Sequence, residues 1–349
     1  MDLLERATTN AKDILEVNYR VVNSNKIFII YDRECGLSIL IKDAFEKACI
    51  LLGNEFELID FYSYEDKYDL LVEKLNKEAS KEDIAVLIQS SSFRVSKYRW
   101  RNELCDRGLK VVEFGHLDKM NNEAEIERFV NSITCDYEHY EKISNKLMSM
   151  IEKSKSIKVV SGDGSVLLYS GKMDKCLRNT GSLWEQTNWT TRFPIGEVIS
   201  EALDLSTLNG EMMIYSFPNI EEQRTVFCEP FKCKIEDGLV VSHEGGEDFE
   251  KLYEMIKTEN EEGDVFVREF GLGLNRHIKR YDMISDSMAY ERQEGLHFSL
   301  GMKHGMYQKK LWPKYGKKFY QRYHIDVYVD VNEIFIDDTL VYTKDKGYF

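Results

Sequence analysis

Histidines and carboxylates that could bind a metal ion are concentrated in the last quarter of this 349-residue chain. Four of the seven histidines lie there, namely His277, His297, His304 and His324. In Tyr323–Val329, apolar and polar residues alternate with the period of a β-strand, so that His324 and Asp326 project from the same face. Imidazole and carboxylate are common ligands of divalent ions, and this spacing lets both reach one ion. The pair predicts part of a metal site; the alternative is a half-buried strand whose polar face carries both residues.

Three further residues are candidate ligands because of their surroundings in the sequence. His297 lies inside the apolar run Glu294–Gly301, where the alternative is a histidine of the core. Glu269 ends an apolar strand-like run and is followed by glycines that let other groups approach closely; the alternative is an ion pair with Arg268. Glu197 follows a proline and a glycine, and the alternative is an exposed acid of a strand.

The first third of the chain alternates between strand-like and helix-like segments. Four short apolar runs are predicted as strands: Lys26–Tyr31, Glu55–Phe61, Asp83–Ile88 and Lys110–Phe114. Helical spacing of apolar residues separates them, first over Leu37–Leu52 and then over Tyr64–Leu75. This alternation predicts an α/β domain with a parallel sheet over residues 1–150. Because no Gly-x-Gly-x-x-Gly motif follows the first strand, a dinucleotide site is not expected.

The pattern changes after residue 150. Ile157–Val160 and Val166–Tyr169 flank a Gly-Asp-Gly turn and are predicted to form a hairpin, and many strand-like runs follow with one helix over Glu247–Thr258. Residues 151–349 are therefore predicted to form a larger α+β domain that is rich in antiparallel strands and carries the metal site.

Composition excludes several classes of protein. The formal net charge of -14 argues against nucleic-acid binding, which requires a basic surface. No apolar stretch approaches the ~20 residues that span a bilayer, and the first residues do not resemble a signal peptide. The seven cysteines are scattered, without a C-x-x-C pair, so a disulfide framework or a thiolate zinc site is not expected. We expect a cytoplasmic protein that binds neither membranes nor nucleic acid.

Five segments, taken in order, resemble the aminopeptidase T/aminopeptidase S family of metallo-aminopeptidases. They are Arg192–Val198, Asp237–Val241, Arg268–Gly273, Glu291–Gly301 and His324–Asp326. The resemblance implies a hydrolase, a metalloprotease that removes N-terminal residues from a peptide substrate with a free N-terminus and forms a homodimer. It also implies two divalent ions (Zn, Co or Mn) that activate a water. The ligands carried over from the family are Glu197, Glu269, His297, His324 and Asp326.

One position departs from the family. His304 stands where the family has a tyrosine near the metals, and Tyr307 follows three residues later. His304 is expected to act as a further ligand or as a proton shuttle, or Tyr307 replaces the missing tyrosine. Between this position and His324 lies the basic and aromatic segment Lys309–Tyr320. It is predicted either to bind a peptide carboxylate or an acidic side chain, or to be a solvated loop.

Two alternatives remain open beside the hydrolase. Relatives on the same scaffold resemble mononuclear iron(II) ring-cleaving dioxygenases of dihydroxypyridine breakdown, which use two histidines and one carboxylate. In those relatives a histidine stands where Glu269 stands in this chain. Another non-hydrolytic metalloenzyme on this scaffold belongs with that alternative. The other alternative is a catalytically inactive, peptide-binding relative in a biosynthetic pathway.

Overall fold

The computed structural model describes residues 2–91, 93–95, 98–181, 183, 189–259, 262–302 and 323–349, with only the backbone of residues 94, 95, 98 and 99. Two compact units are present. The first comprises Met1–Glu138 and Asn179–Ile195, and the second comprises His139–Arg178 and Gly196–Phe349. The chain therefore leaves the first unit, returns to it for one short segment, and then completes the second.

A parallel sheet of five strands forms the centre of the first unit. Its strands are β1 (Ile27–Tyr31), β2 (Phe56–Asp60), β3 (Ile84–Ile88), β6 (Lys110–Phe114) and β10 (Thr190–Arg192), in the order β10-β6-β3-β1-β2. Every residue of β1 and β3 is buried, which explains why both strands are almost continuously apolar. The parallel sheet predicted from the alternating pattern is confirmed. A separate two-stranded hairpin pairs β4 (Arg94–Val95) with β5 (Tyr98–Arg99).

Helices connect these strands. They are α1 (Leu3–Asp13), which continues into a π-helical turn (Ile14–Asn18), α2 (Gly36–Leu52), α3 (Tyr68–Glu78), α4 (Trp100–Asp106) and α5 (Glu123–Ser132). Short 3-10 turns cover Phe61–Tyr64 and Leu117–Lys119. Helix α2 begins where the thiol of Cys35 accepts a hydrogen bond from the Ser38 backbone, and it ends at Gly53, which adopts the left-handed conformation that glycine tolerates. Its apolar residues recur at helical spacing, so one face is buried.

The second unit is built on a mainly antiparallel sheet of thirteen strands among the described residues. They are β7 (Ile157–Ser161), β8 (Val166–Tyr169), β9 (Leu177–Asn179), β11 (Glu197–Glu201), β12 (Leu208–Asn219), β13 (Arg224–Glu236), β14 (Leu239–His243), β15 (Val267–Gly273), β16 (Gly295–Gly301), β17 (His324–Val329), β18 (Val331–Ile336), β19 (Thr339–Thr343) and β20 (Gly347–Tyr348). The order is β20-β19-β18-β7-β8-β12-β17-β16-β15-β11-β9, and β13 and β14 continue from β12.

Helices are few in this unit. Its described helices are α6 (Tyr137–Ile151), which begins two residues before the unit, α7 (Glu247–Lys257) and α8 (Ser287–Tyr290), with a 3-10 turn at Leu205–Thr207. The predicted α+β fold rich in antiparallel strands is confirmed. None of the helices in the described part of the chain combines the length and the apolar character that crossing a bilayer requires.

Helix α3 offers a direct test of the core of the first unit. The side chain of Leu75 is almost fully buried in a cluster that includes Phe61 and Trp100, whereas Leu70 on the same helix is 51% exposed. Leu75→Ala is expected to lower the free energy of unfolding by roughly 2–5 kcal/mol, because it removes buried methyl groups and leaves a cavity. Leu70→Ala is the control and is expected to change it by less than about 0.5 kcal/mol. If urea denaturation showed the same loss of unfolding free energy for both variants, Leu75 would not be the side chain that α3 buries in this core.

Candidate metal centre

Four neighbouring strands of the second unit bring the predicted ligands together. Strand β11 begins with Glu197, and its neighbour β15 carries Glu269. The next strand, β16, carries His297, and β17 carries His324 and Asp326. Residues opposite one another on antiparallel strands share a face of the sheet. The register pairs Gly271 with His297 and Ser299 with Asp326, which places the polar side chains of adjacent strands on one face.

The first group of donor atoms consists of Glu197, Glu269 and His297. The Nε2 atom of His297 lies 3.3 Å from Oε1 of Glu197 and 3.4 Å from Oε1 of Glu269. All three residues are buried, and His297 is fully so. One ligand atom from each residue lies within 4.8 Å of the others, which is close enough for the three to surround one ion.

The second group consists of Glu269, His324 and Asp326, so the two groups share Glu269. The Nε2 atom of His324 lies 3.8 Å from Oε2 of Glu269 and 3.5 Å from Oδ1 of Asp326. Asp326 Oδ1 is buried and receives no hydrogen bond from the described residues. Among the described residues, no donor group contains both imidazoles.

A backbone carbonyl orients His324 for metal binding. The Nδ1 atom of His324 lies 2.9 Å from the carbonyl oxygen of Met302. Because a carbonyl can only accept a hydrogen bond, Nδ1 donates, and the neutral ring then presents the lone pair of Nε2 to Glu269 and Asp326. Metal-bound histidines are usually held by such a bond from the opposite ring nitrogen.

Two glycines of β15 make room for this arrangement. A side chain at position 271 would overlap the imidazole of His297, and one at position 273 would overlap the backbone oxygen of Gln293. The glycines after Glu269 therefore permit the close approach that the sequence pattern indicated.

Arg292 and Glu291 complete the site, and neither was predicted as a site residue. The Nη1 atom of Arg292 lies 2.9 Å from Oε2 of Glu197 and also pairs with Oε1 of Glu291. The guanidinium is buried between these two acids. Both residues begin the segment Glu291–Gly301. An acidic residue followed directly by a basic one was therefore the only feature of the sequence that pointed to them as site residues.

The carboxylates control the protonation of both histidines. Burial lowers the pKa of His297, but Glu197 and Glu269 raise it more, and the result lies well above the ordinary value. Burial likewise lowers the pKa of His324, whereas Asp326 and Glu269 raise it above its ordinary value. Burial raises the pKa of Glu291 well above its ordinary value, and Arg292 only partly opposes this. This cluster of perturbed groups is typical of a functional site.

The structure thus brings together five predicted residues: Glu197, Glu269, His297, His324 and Asp326. The remaining candidates, His304 and Tyr307, and the basic and aromatic segment Lys309–Tyr320 lie outside the described residues.

A model of one protein family matches more than half of the chain. This family is described as NicX, 2,5-dihydroxypyridine 5,6-dioxygenase, and the match covers residues 124–345. The chain belongs to the NicX family. The matched range contains the whole of the site described above, including Arg292. A search of curated proteins found no match.

Two solved structures resemble this NicX-family chain along almost its whole length. The first is 2,5-dihydroxypyridine dioxygenase from Pseudomonas putida KT2440, with 13% identity, a TM-score of 0.62, and 97% of this chain and 95% of that chain covered. The second is wild-type AmpT from Thermus thermophilus, with 11% identity, a TM-score of 0.57, and coverage of 98% and 99%. At such identities the likeness shows the fold alone.

The family corrects part of the functional prediction. The resemblance to aminopeptidase T holds for the fold, as the similarity to AmpT shows. The expectation of a hydrolase, an aminopeptidase and metalloprotease, is wrong, because the NicX family is described as a dioxygenase, which is an oxidoreductase. The prediction of an enzyme is supported, and so is that of a metal cofactor. One fold supports different reactions, so a similar order of candidate ligands does not determine which reaction is catalysed.

Gly271→Ala tests the packing that holds His297 in place. The added methyl group would overlap the buried imidazole, so the ring or the strand must shift. We expect the free energy of unfolding to fall by roughly 1–3 kcal/mol, as for other overpacked cores. Gly36→Ala is the control, because nothing lies within 4 Å of its added methyl group, and it is expected to be neutral or stabilising by up to about 1 kcal/mol. A Gly271→Ala variant as stable as the parent protein would contradict the position of His297.

Proposed function

We propose that this protein is a metal-dependent dioxygenase that acts on a hydroxylated aromatic ring of the dihydroxypyridine class. The observation that carries the proposal is the donor group of Glu269, His324 and Asp326, in which a backbone carbonyl aims the imidazole at two carboxylates. Membership of the NicX family supports the oxidative chemistry and the class of substrate.

The donor group fits a divalent metal ion. Nitrogen and oxygen ligands without sulfur suit iron(II) or manganese(II). Asp326 Oδ1 is a buried carboxylate oxygen that no described residue donates to, which is costly unless a cation compensates it. Mononuclear iron(II) ring-cleaving dioxygenases use two histidines and one carboxylate. The present group differs because Glu269 takes the place of one imidazole. We propose iron(II), held by one imidazole and two carboxylates.

Each residue of the site would have a separate role in this reaction. Glu269, His324 and Asp326 would hold the ion, and the carbonyl group of Met302 fixes the orientation of His324. His297 Nε2, which lies 3.4 Å from Glu269 Oε1, would donate a hydrogen bond to that carboxylate. A bound iron(II) ion would supply the site at which the ring and O2 are brought together. Ring-cleaving dioxygenation breaks one carbon–carbon bond and adds both oxygen atoms to the product, so no external reductant is consumed.

The test is turnover of 2,5-dihydroxypyridine by protein loaded anaerobically with iron(II). On exposure to O2 we expect the ring absorbance to disappear, one molecule of O2 to be consumed for each ring, and both atoms of isotopically labelled O2 to enter the product. Asp326→Asn is expected to lower turnover by at least about 100-fold, since loss of even a supporting residue costs roughly 10- to 100-fold.

A matched substitution controls for the loss of a carboxylate. Asp338 is exposed in the turn between β18 and β19 of the same unit, so Asp338→Asn should leave turnover unchanged. The proposal fails if the iron-loaded protein consumes no O2 with 2,5-dihydroxypyridine or with any of its positional isomers.

A further inference from the structure

Arg292 is a buried cation beside the proposed metal group. Its side chain is 7% exposed, and its Nη1 atom contacts two acids, Glu197 and Glu291. A guanidinium at such a position stays charged, and it compensates carboxylates that would otherwise be buried without a partner.

The backbone holds this guanidinium in place. The backbone nitrogen of Arg292 donates to Ala289, and its carbonyl oxygen accepts from Asn275 at 2.9 Å. The residue before Asn275, Leu274, donates to the carbonyl oxygen of Gly196, directly before Glu197, at 2.8 Å. The dipeptide Leu274–Asn275 therefore connects the backbone of Glu197 to that of Arg292. These backbone hydrogen bonds hold Glu197 and Arg292 close enough for their side chains to form an ion pair.

This ion pair limits the ability of Glu197 to coordinate a metal ion. Its Oε2 atom is taken by Arg292 at 2.9 Å, and its Oε1 atom lies 3.3 Å from the imidazole of His297. A second divalent ion in the group of Glu197, Glu269 and His297 would bind next to a guanidinium, where like charges repel with little screening from water. Arg292 forms its ion pairs with Glu197 and Glu291, and it acts on Glu269, the member shared with the second donor group, only by longer-range attraction.

We propose that Arg292 is a positioning residue that keeps Glu197 out of metal coordination and so limits the centre to one divalent ion. The inference rests on the proposed metal group of Glu269, His324 and Asp326. It replaces the two ions that the sequence resemblance implied.

The experiment counts ions with manganese(II) alone as the probe. Purified full-length variants are titrated with Mn(II), the bound metal is measured by elemental analysis, and electron paramagnetic resonance distinguishes isolated ions from coupled pairs. The parent protein is expected to bind one isolated ion per chain. Arg292→Met removes the guanidinium from Glu197 and Glu291. This variant is expected to bind a second equivalent at least about tenfold more tightly than the parent protein does, with a coupled-pair signal. Adding Glu197→Gln to Arg292→Met should restore one ion.

Two further variants keep the inference testable if Arg292→Met does not fold. Arg292→Lys retains the charge and is expected to bind one ion. Glu197→Gln alone is expected to bind one ion with an affinity within about threefold of the parent. Glu229→Gln, at an exposed position on β13, controls for the loss of an acid.

Each outcome distinguishes the inference from the proposed function. Two ions in the parent protein, an unchanged single ion in folded Arg292→Met, or loss of the ion in Glu197→Gln would overturn the role of Arg292. A parent protein that binds no Mn(II) and no Fe(II) would instead overturn the proposed metal-dependent function.

Discussion

Carboxylates buried on one face of the antiparallel sheet impose the constraint on which the site depends. The side chains of Glu197 and Glu269 are almost inaccessible to water, and those of Glu291 and Asp326 are only 13% and 12% exposed. An isolated buried carboxylate is unstable unless it is protonated, paired with a cation or bound to a metal. Within the described residues, Arg292 and His297 compensate part of this charge. A divalent ion at Glu269, His324 and Asp326 would compensate the rest.

The local sequence pattern predicted much of the fold, whereas the set of site residues came from weak local signals combined with the family resemblance. Alternation in Tyr323–Val329 placed His324 and Asp326 on one face, and the glycines after Glu269 indicated a close approach that Gly271 provides for His297. Strand β10 was not predicted, because its three residues, Thr190–Arg192, have no apolar pattern and pair with β6, which lies far away in the sequence. The role of Arg292 was missed for a related reason. Its partner Glu197 is distant in sequence, and an ion pair of this kind leaves no periodic signal.

The fold does not by itself distinguish the reactions of its relatives. A dioxygenase and AmpT both resemble this chain in structure over nearly its whole length. The difference in chemistry must therefore arise from the ligands and the charges around them. In this chain the imidazoles are divided between two donor groups, and the group without Arg292 is the one whose histidine is oriented by a backbone carbonyl. This asymmetry is the basis for proposing a single ion, and membership of the NicX family is the basis for proposing oxidative chemistry.

The most direct test of the central claim is a crystal structure of the iron(II)-loaded protein with an anomalous difference map at the iron edge. We expect a single peak at roughly 2.0–2.3 Å from Glu269, His324 Nε2 and Asp326, with Glu197 still paired to Arg292. A peak held by Glu197 and His297 instead, or no peak in this sheet, would contradict it.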